Sequence, residues 1–370
     1  MIASSTQSKP IRVLVADDSS VMRAALSRMI ESDRDLQIVG YAVDGVDVLT
    51  QMKALDPDVI TLDIEMPRMN GLDALTHIMA ESPRPVIMLS SLTGEGTRST
   101  FEALERGAFD FIASRARMPR MESLTFAKTC WLRSRARLTA RDHYPDSLHA
   151  RRPRGLCRIC PGRFKDPPQL SPIGTSTGGP KALQAVLSQL PAQLSTGVLV
   201  VQLMSIGFTA QFAERLNHIC EVAVHEVKGE ELIEPGIVYI APAGLHMTVN
   251  HAGARYRTHL SKSPAGTLHT PSVDVLMHSV ARVYGSQAMG VILTGMGADG
   301  AQGMKAIRDA GGWTIGQDAE SCAVYGMPRS AAEIDALSRV APLQHIAAEI
   351  MAGVAPRTHA AAVNSSARSG

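Results

Sequence analysis

The 370-residue chain is 45% hydrophobic and 19% charged, with a formal net charge of +2; these proportions exclude disordered and fibrous classes. Its length predicts two domains, each with its own core. No apolar run reaches the ~18 residues of a membrane span, and Met1–Pro10 lacks the apolar stretch of a signal peptide, so a cytoplasmic location without membrane insertion is expected, its five cysteines reduced.

The first block alternates short apolar runs with amphipathic stretches. Arg12–Ala16, Gln37–Tyr41, Val59–Leu62, Val86–Leu89 and Phe109–Ile112 read as buried parallel strands. Between the first two, Val21, Met22, Ala25, Leu26 and Met29 fall at helical spacing. Five such repeats predict a doubly wound (βα)5 domain, whose ligands sit at the carboxyl ends of the strands. Acids occupy those ends: Asp17 and Asp18 after the first strand, Asp63 at the end of the third. In the strand order 2-1-3-4-5 these ends are neighbours, so the three carboxylates converge and repel unless a cation joins them; Mg²⁺ prefers such oxygens. A carboxylate beside Mg²⁺ can also accept a phosphoryl group. Any one of these acids alone reads as a helix cap, but three together, followed by turn signals at Met66-Pro67 and Asn70-Gly71, favour the functional reading.

Val15-Ala16-Asp17-Asp18-Ser19, Asp63-Ile64-Glu65-Met66-Pro67 with Gly71, and Met88-Leu89-Ser90-Ser91-Leu92-Thr93 resemble response-regulator receivers in order and spacing. The resemblance implies phosphorylation at Asp63, metal binding by Asp17, Asp18 and Asp63, and a switch hydroxyl at Ser90. One part departs from the pattern. The family's lysine after Asp110-Phe111-Ile112 is replaced by Ala113-Ser114-Arg115, which removes a partner for the phosphoryl charge and weakens the expected switching.

Composition shifts abruptly at residues 114–168, which carry 14 Lys or Arg against 4 Asp or Glu, together with Trp131, Cys130, Cys157 and Cys160. Cys157-Arg158-Ile159-Cys160 lacks a second ligand pair at zinc spacing, and the tract lacks the sustained periodicity of a membrane-surface helix. Residues 114–170 therefore read as a basic, atypical linker, expected to be poorly ordered.

The second block begins at Ile173-Gly174-Thr175-Ser176-Thr177-Gly178-Gly179-Pro180. A strand end, a Gly-flanked serine and a helix-forming run suggest a nucleophile elbow; a phosphate-binding glycine loop or a plain turn are the alternatives. A strand-like run follows at Thr196–Gln202, and another, Val291–Leu293, leaves into Thr294-Gly295-Met296-Gly297-Ala298-Asp299-Gly300. Asp299 reads either as a cap for a helix over Ala301–Ala310 or as the orienting acid of a triad.

With Tyr239–Met247, Pro271–Leu276 and Val324–Pro328, these runs resemble the catalytic domain of chemotaxis methylesterases across residues 171–340. A receiver followed by this domain identifies the chain as a member of the chemotaxis protein-glutamate methylesterase/protein-glutamine glutaminase family. The implied architecture is a receiver at 11–113 and a doubly wound parallel α/β hydrolase-type catalytic domain at 171–354. The implied activity is hydrolysis of glutamyl methyl esters, and deamidation of glutamines, on methyl-accepting chemotaxis receptors. A chemotaxis histidine kinase would be the phosphoryl source, with Mg²⁺ in the receiver, no cofactor in the catalytic domain and no nucleic-acid partner.

The resemblance assigns Ser176 as nucleophile, Asp299 as the acid orienting a histidine, and Thr177 and Met296 to the oxyanion region. The histidine belongs after Gln202, where this chain has Leu203. Leucine accepts no proton, so impaired activity is expected. His218, His225, His246 and His269 read as ordinary histidines, although His246 lies in a family-like loop. A catalytically silent protein that binds receptors or serves as a phosphate sink is the alternative. A DNA-binding regulator is weaker still, because residues 171–354 carry elbow and loop signals and no helix-turn-helix.

Family resemblance stops after Ile112 and resumes near Ser171, the pattern that translation out of frame produces. Reading the gene in the other two frames is expected to restore Lys-Pro after Ile112 and an apolar, helix-patterned continuation. If neither frame does, a genuinely divergent linker stands.

Overall fold

The computed structural model describes residues 9–91, 94–114, 169–253 and 255–354. Residues 115–168, which hold Arg115 and nearly all of the atypical basic segment, lie outside the described residues, and the expectation of poor order for that segment falls there.

The first block forms a parallel sheet of β1 (Ile11–Ala16), β2 (Leu36–Ala42), β3 (Val59–Asp63), β4 (Val86–Ser91) and β5 (Asp110–Ser114), in the order β2-β1-β3-β4-β5. Helices α1 (Ser20–Ile30), α2 (Gly45–Leu55), α3 (Gly71–Glu81) and α4 (Gly94–Glu105) connect them. The inner strands form because their runs are buried on both faces: Val13, Leu14, Val15 and Ala16 of β1 are inaccessible, as are Val86 to Leu89 of β4. Ser19, Asp44 and Asn70 start α1, α2 and α3 by accepting backbone N–H groups of their first turns. Gly71 is required at its position, since a Cβ there would run into the backbone carbonyl of Asp63.

The second block builds a seven-stranded parallel sheet from β6 (Leu170–Thr175), β7 (Gly197–Gln202), β8 (Ala223–Glu226), β9 (Ile237–Ile240), β12 (Met289–Ile292), β13 (Trp313–Gln317) and β14 (Arg339–Ala341). Its order is β14-β13-β12-β6-β7-β9-β8. The helices are α5 (Gly179–Leu187), α6 (Thr209–Ile219), α7 (Val273–Tyr284), α8 (Ala301–Asp309), α9 (Met327–Glu333) and α10 (Leu343–Val354). An antiparallel ribbon of β10 (His246–Ala252) and β11 (Arg255–Ser261), which the sequence reading did not anticipate, lies beside α7, where Val249 N donates to Ser279 Oγ at 3.0 Å. Both blocks are thus doubly wound α/β units.

From β6 the chain adds strands to one side (β7, β9, β8) and then returns to add β12, β13 and β14 on the other. The switch point therefore falls between β6 and β12, where a doubly wound sheet offers its binding crevice.

The two units touch through aromatic rings. Phe101 of α4 stacks on Phe212 of α6 with centroids 5.5 Å apart, and Phe111 of β5 lies 4.8 Å from Phe208 at the start of α6. Arg215 of α6 pairs with Glu105 of α4. These contacts make one buried apolar cluster continuous across both sheets.

Candidate functional site

The first constellation lies at the carboxyl ends of β1 and β3. These strands pair directly (Ala16↔Leu62), which brings Asp17, Asp18 and Asp63 together. One carboxylate oxygen from each lies within 4.8 Å of the others. Burial, and then the charge of Asp17, push the Asp63 carboxyl up to about 7. Asp17, almost fully buried, is raised chiefly by desolvation even though its Oδ1 accepts Ser19 N–H at 2.9 Å. Anions this close, one of them buried and Asp18 exposed, are costly unless a cation joins them, which is the fit expected of a divalent-metal site.

Ser90, on β4 one residue past the partner of Asp63 (Asp63↔Leu89), is fully buried. Its hydroxyl donates to Gly96 O at 3.1 Å and accepts from Thr100 Oγ1, so it faces the first turns of α4.

The second constellation lies at the ends of three adjacent strands: β12, β6 and β7. Ser176 follows β6 and precedes α5, the anticipated strand–turn–helix. Its N–H donates to Thr294 O at 3.1 Å, and Gly179 N–H returns to Ser176 O at 2.8 Å, closing the turn. Gly178 takes φ +73°, a left-handed conformation suited to glycine. Thr294 Oγ1 donates to Thr177 O at 3.0 Å. The Met296 loop follows directly: a Cβ on Gly295 would lie 2.9 Å from Ser176 Cβ. Leu203 sits just past the end of β7, its N–H donating to Thr175 O at 3.0 Å. Its side chain is half-buried against the apolar cluster that contains Val201, Val273 and Met327. The position expected to carry a base therefore stands beside the elbow but offers no acceptor.

Asp299 departs from the local cap reading. The N-cap of α8 is Gly300, which makes no side-chain cap bond. The Asp299 carboxylate instead holds the start of α7: Oδ1 accepts Ser272 Oγ (2.8 Å) and Asp274 N (3.0 Å), and Oδ2 accepts Val273 N (2.9 Å). Those partners are 25 to 27 residues away in sequence, so no local signal pointed to them.

Two imidazoles feel the Asp299 charge. In both His246 and His269 burial lowers the pKa, against a smaller opposing effect of Asp299. His246 is inaccessible and engaged at both nitrogens, Nδ1 accepting Ser272 N–H at 3.2 Å and Nε2 lying 3.2 Å from Thr267 Oγ1. His225 is bound to Glu231 at 2.6 Å, and His218 closes the last turn of α6.

One contact was not foreseen. Asp110 of β5, nearly buried, extends Oδ2 to Gly178 N at 3.1 Å, while its Oδ1 accepts Phe111 N–H at 2.7 Å. A carboxylate from the first unit thus sits on the helix-starting turn two residues past Ser176, where an N-terminal helix end favours an anion.

Comparison with known proteins gives concordant matches. The CheB methylesterase family matches residues 172–350 and the response regulator receiver domain matches residues 13–125. The protein-glutamate methylesterase/protein-glutamine glutaminase of Salmonella typhi is 42% identical over 349 residues, spanning 93% of this chain and 97% of that protein. The protein of the same name from Escherichia coli (strain K12) is 42% identical over 346 residues, with the same coverage. The crystal structure of the Thermotoga maritima CheB methylesterase catalytic domain aligns at 36% identity with a TM-score of 0.49, covering 50% of this chain and 98% of that one.

Because Asp299 holds three donors of α7, its removal is expected to weaken the fold whatever residue stands at 203. Asp299→Ala should lower stability by about 1–3 kcal/mol, measured by urea denaturation of the native sequence. An unchanged midpoint would show that α7 keeps its start without the carboxylate.

Proposed function

This chain belongs to the protein-glutamate methylesterase/protein-glutamine glutaminase family, and from that premise we propose that its receiver, residues 11–113, regulates a serine hydrolase at residues 171–354. The hydrolase acts on glutamyl methyl esters and glutamine amides of methyl-accepting chemotaxis receptors during adaptation. The observation that supports the reading is that the segments bearing Ser176, Leu203 and the Met296–Asp299 loop leave the adjacent strands β6, β7 and β12 at the switch point, with Ser176 N–H on Thr294 O and Leu203 N–H on Thr175 O.

In this reading Ser176 Oγ attacks the ester carbonyl while its proton passes to a base. The oxyanion is met by the Thr177 and Met296 region, and the same proton leaves with methanol. Water then hydrolyses the glutamyl–serine ester. Leu203 interrupts the first step, because no proton can be held at that position. General acid–base catalysis is worth about 10²–10⁴-fold, so activity of the sequence as written is expected to be small, the oxyanion region sustaining a residual rate. The same leucine favours the second reading, a silent protein that binds receptors or drains phosphoryl groups.

The receiver carries the regulatory half of the proposal. Asp17, Asp18 and Asp63 would hold Mg²⁺, which, when bound, neutralises the crowded carboxylates and the incoming phosphoryl charge. Asp63 would accept the phosphoryl group from a chemotaxis histidine kinase, and Ser90 would turn its hydroxyl from Gly96 O toward it. Phosphorylation relieves a receiver that covers the Ser176 groove, a role supported by the Asp110–Gly178 hydrogen bond and the phenylalanine contacts.

Leu203→His is expected to raise methanol release from methylated receptor by orders of magnitude, and adding Ser176→Ala should abolish the gain. Robust activity of the native sequence, lost on changing His246 and unimproved by Leu203→His, would overturn the assignment of position 203.

Acetyl phosphate with Mg²⁺ is expected to label the chain at Asp63, with no label on Asp63→Ala. In the Leu203→His protein the label should increase turnover, and Asp110→Ala should raise the unlabelled rate toward the labelled one. Labelling elsewhere, or an Asp110→Ala rate equal to its parent, would count against this switch.

A further inference from the structure

Strand β7 is apolar and inaccessible from Val198 to Val201, yet it ends in Gln202, whose side chain is also buried, at 2% exposure. A buried carboxamide persists where its hydrogen bonds are used. Gln202 Nε2 donates twice, to Ser176 O at 2.9 Å and to Leu203 O at 3.0 Å. Both acceptors are carbonyls, so the amide orientation is fixed: only the NH₂ group can face them. Its Oε1 is left buried without a partner. It lies against Gly179, where a Cβ would collide with both Oε1 and Thr175 Oγ1, so the glycine at the start of α5 makes room for this side chain.

The bonds form a closed frame. Thr175 O accepts Leu203 N–H, Gln202 bridges the carbonyls of Ser176 and Leu203, and Ser176 O also accepts Gly179 N–H. Both backbone polar groups of residue 203 are thereby tied to the segment that carries the serine. An apolar residue at 202 would fill the same space without linking the two loops.

Resting on the reading that Ser176 is the nucleophile and 203 the position of its base, we infer that Gln202 is a positioning residue that sets the spacing of the serine and base segments through its amide. It touches no substrate. Its effect passes through the backbone, and small displacements of reacting groups cost rate far more than binding.

The test uses full-length protein and Gln202→Met, which keeps the volume and removes both donors, with Gln202→Glu as a second donor-deficient variant. Hydrogen exchange on the native sequence reads the frame without any need for activity: faster exchange is expected in peptides spanning 175–183 and 199–206, with the receiver peptides unchanged. In the Leu203→His protein, Gln202→Met is expected to lower kcat by about 10- to 100-fold with KM held within about twofold. Unchanged exchange around 176 and 203 in a folded variant overturns the frame, whatever the activity. Faster exchange with unchanged kcat in an active Leu203→His protein overturns the positioning role. An inactive Leu203→His parent instead indicts the base assignment, and the exchange result still decides whether the frame exists.

Discussion

Two backbone hydrogen bonds at the carboxyl end of β6 decide which loops meet: Ser176 N–H to Thr294 O on one side, and Leu203 N–H to Thr175 O on the other. Parallel pairing with β12 and β7 delivers the three segments to one edge of the sheet, but strand pairing ends where the loops begin. These two bonds carry the register past that end. Without them the elbow could start α5 in its present turn and still present Ser176 at an arbitrary distance from residues 203 and 299. The tight turn closed by Gly179 N–H sets the local geometry of Ser176, whereas the cross-strand bonds set its company.

Much of this was legible in the residues. Strands buried on both faces must be continuously apolar, so runs such as Val86–Leu89 and Val198–Val201 announced themselves, and acids at the ends of β1 and β3 stood out against them. What stayed hidden depends on partners far apart in the chain. The ribbon of β10 and β11 packs one face only, and β11 carries Arg255, Arg257 and His259 on the other, which blurs its pattern. Asp299 read equally as a cap for the helix that follows it or as the orienting acid of a triad, and local sequence offered no reason to look back to Ser272. Asp110 was part of a recognised strand, but its donor, Gly178 N–H, lies 68 residues away and no local signal names it. Gln202 marked only the place where a histidine should follow.

The contact between the two units joins charge to shape. Phe101, Phe111, Phe208 and Phe212 supply apolar area that holds the units together without fixing what they do. Asp110 adds direction: its carboxylate meets a backbone N–H at the start of α5, the partially positive end of that helix. The adjoining residues connect this contact to the acidic cluster. Thr100, bonded to Ser90, precedes Phe101 in α4, and Phe111 follows Asp110 in β5. A change in the hydrogen bonding of Ser90 therefore acts one residue away from the ring that packs on α6.

Leu203 shows how the fold and the chemistry can part company. The architecture uses this residue through its N–H and carbonyl, which any residue but proline supplies, and through an apolar side chain resting on Val201 and its neighbours. Nothing in that role demands an imidazole, so the frame stands with leucine there. The acid is likewise preserved for a structural reason, since Asp299 answers three donors of α7 whether or not a histidine is present. An ionised carboxylate has about four acceptor positions, and Oδ2 of Asp299 has one protein donor among the described residues, Val273 N–H. One position is left for an imidazole N–H. The scaffold thus keeps the serine turn, the pinned backbone of residue 203 and a carboxylate with spare acceptor capacity, and in the proposed reading a single side chain separates it from a complete triad.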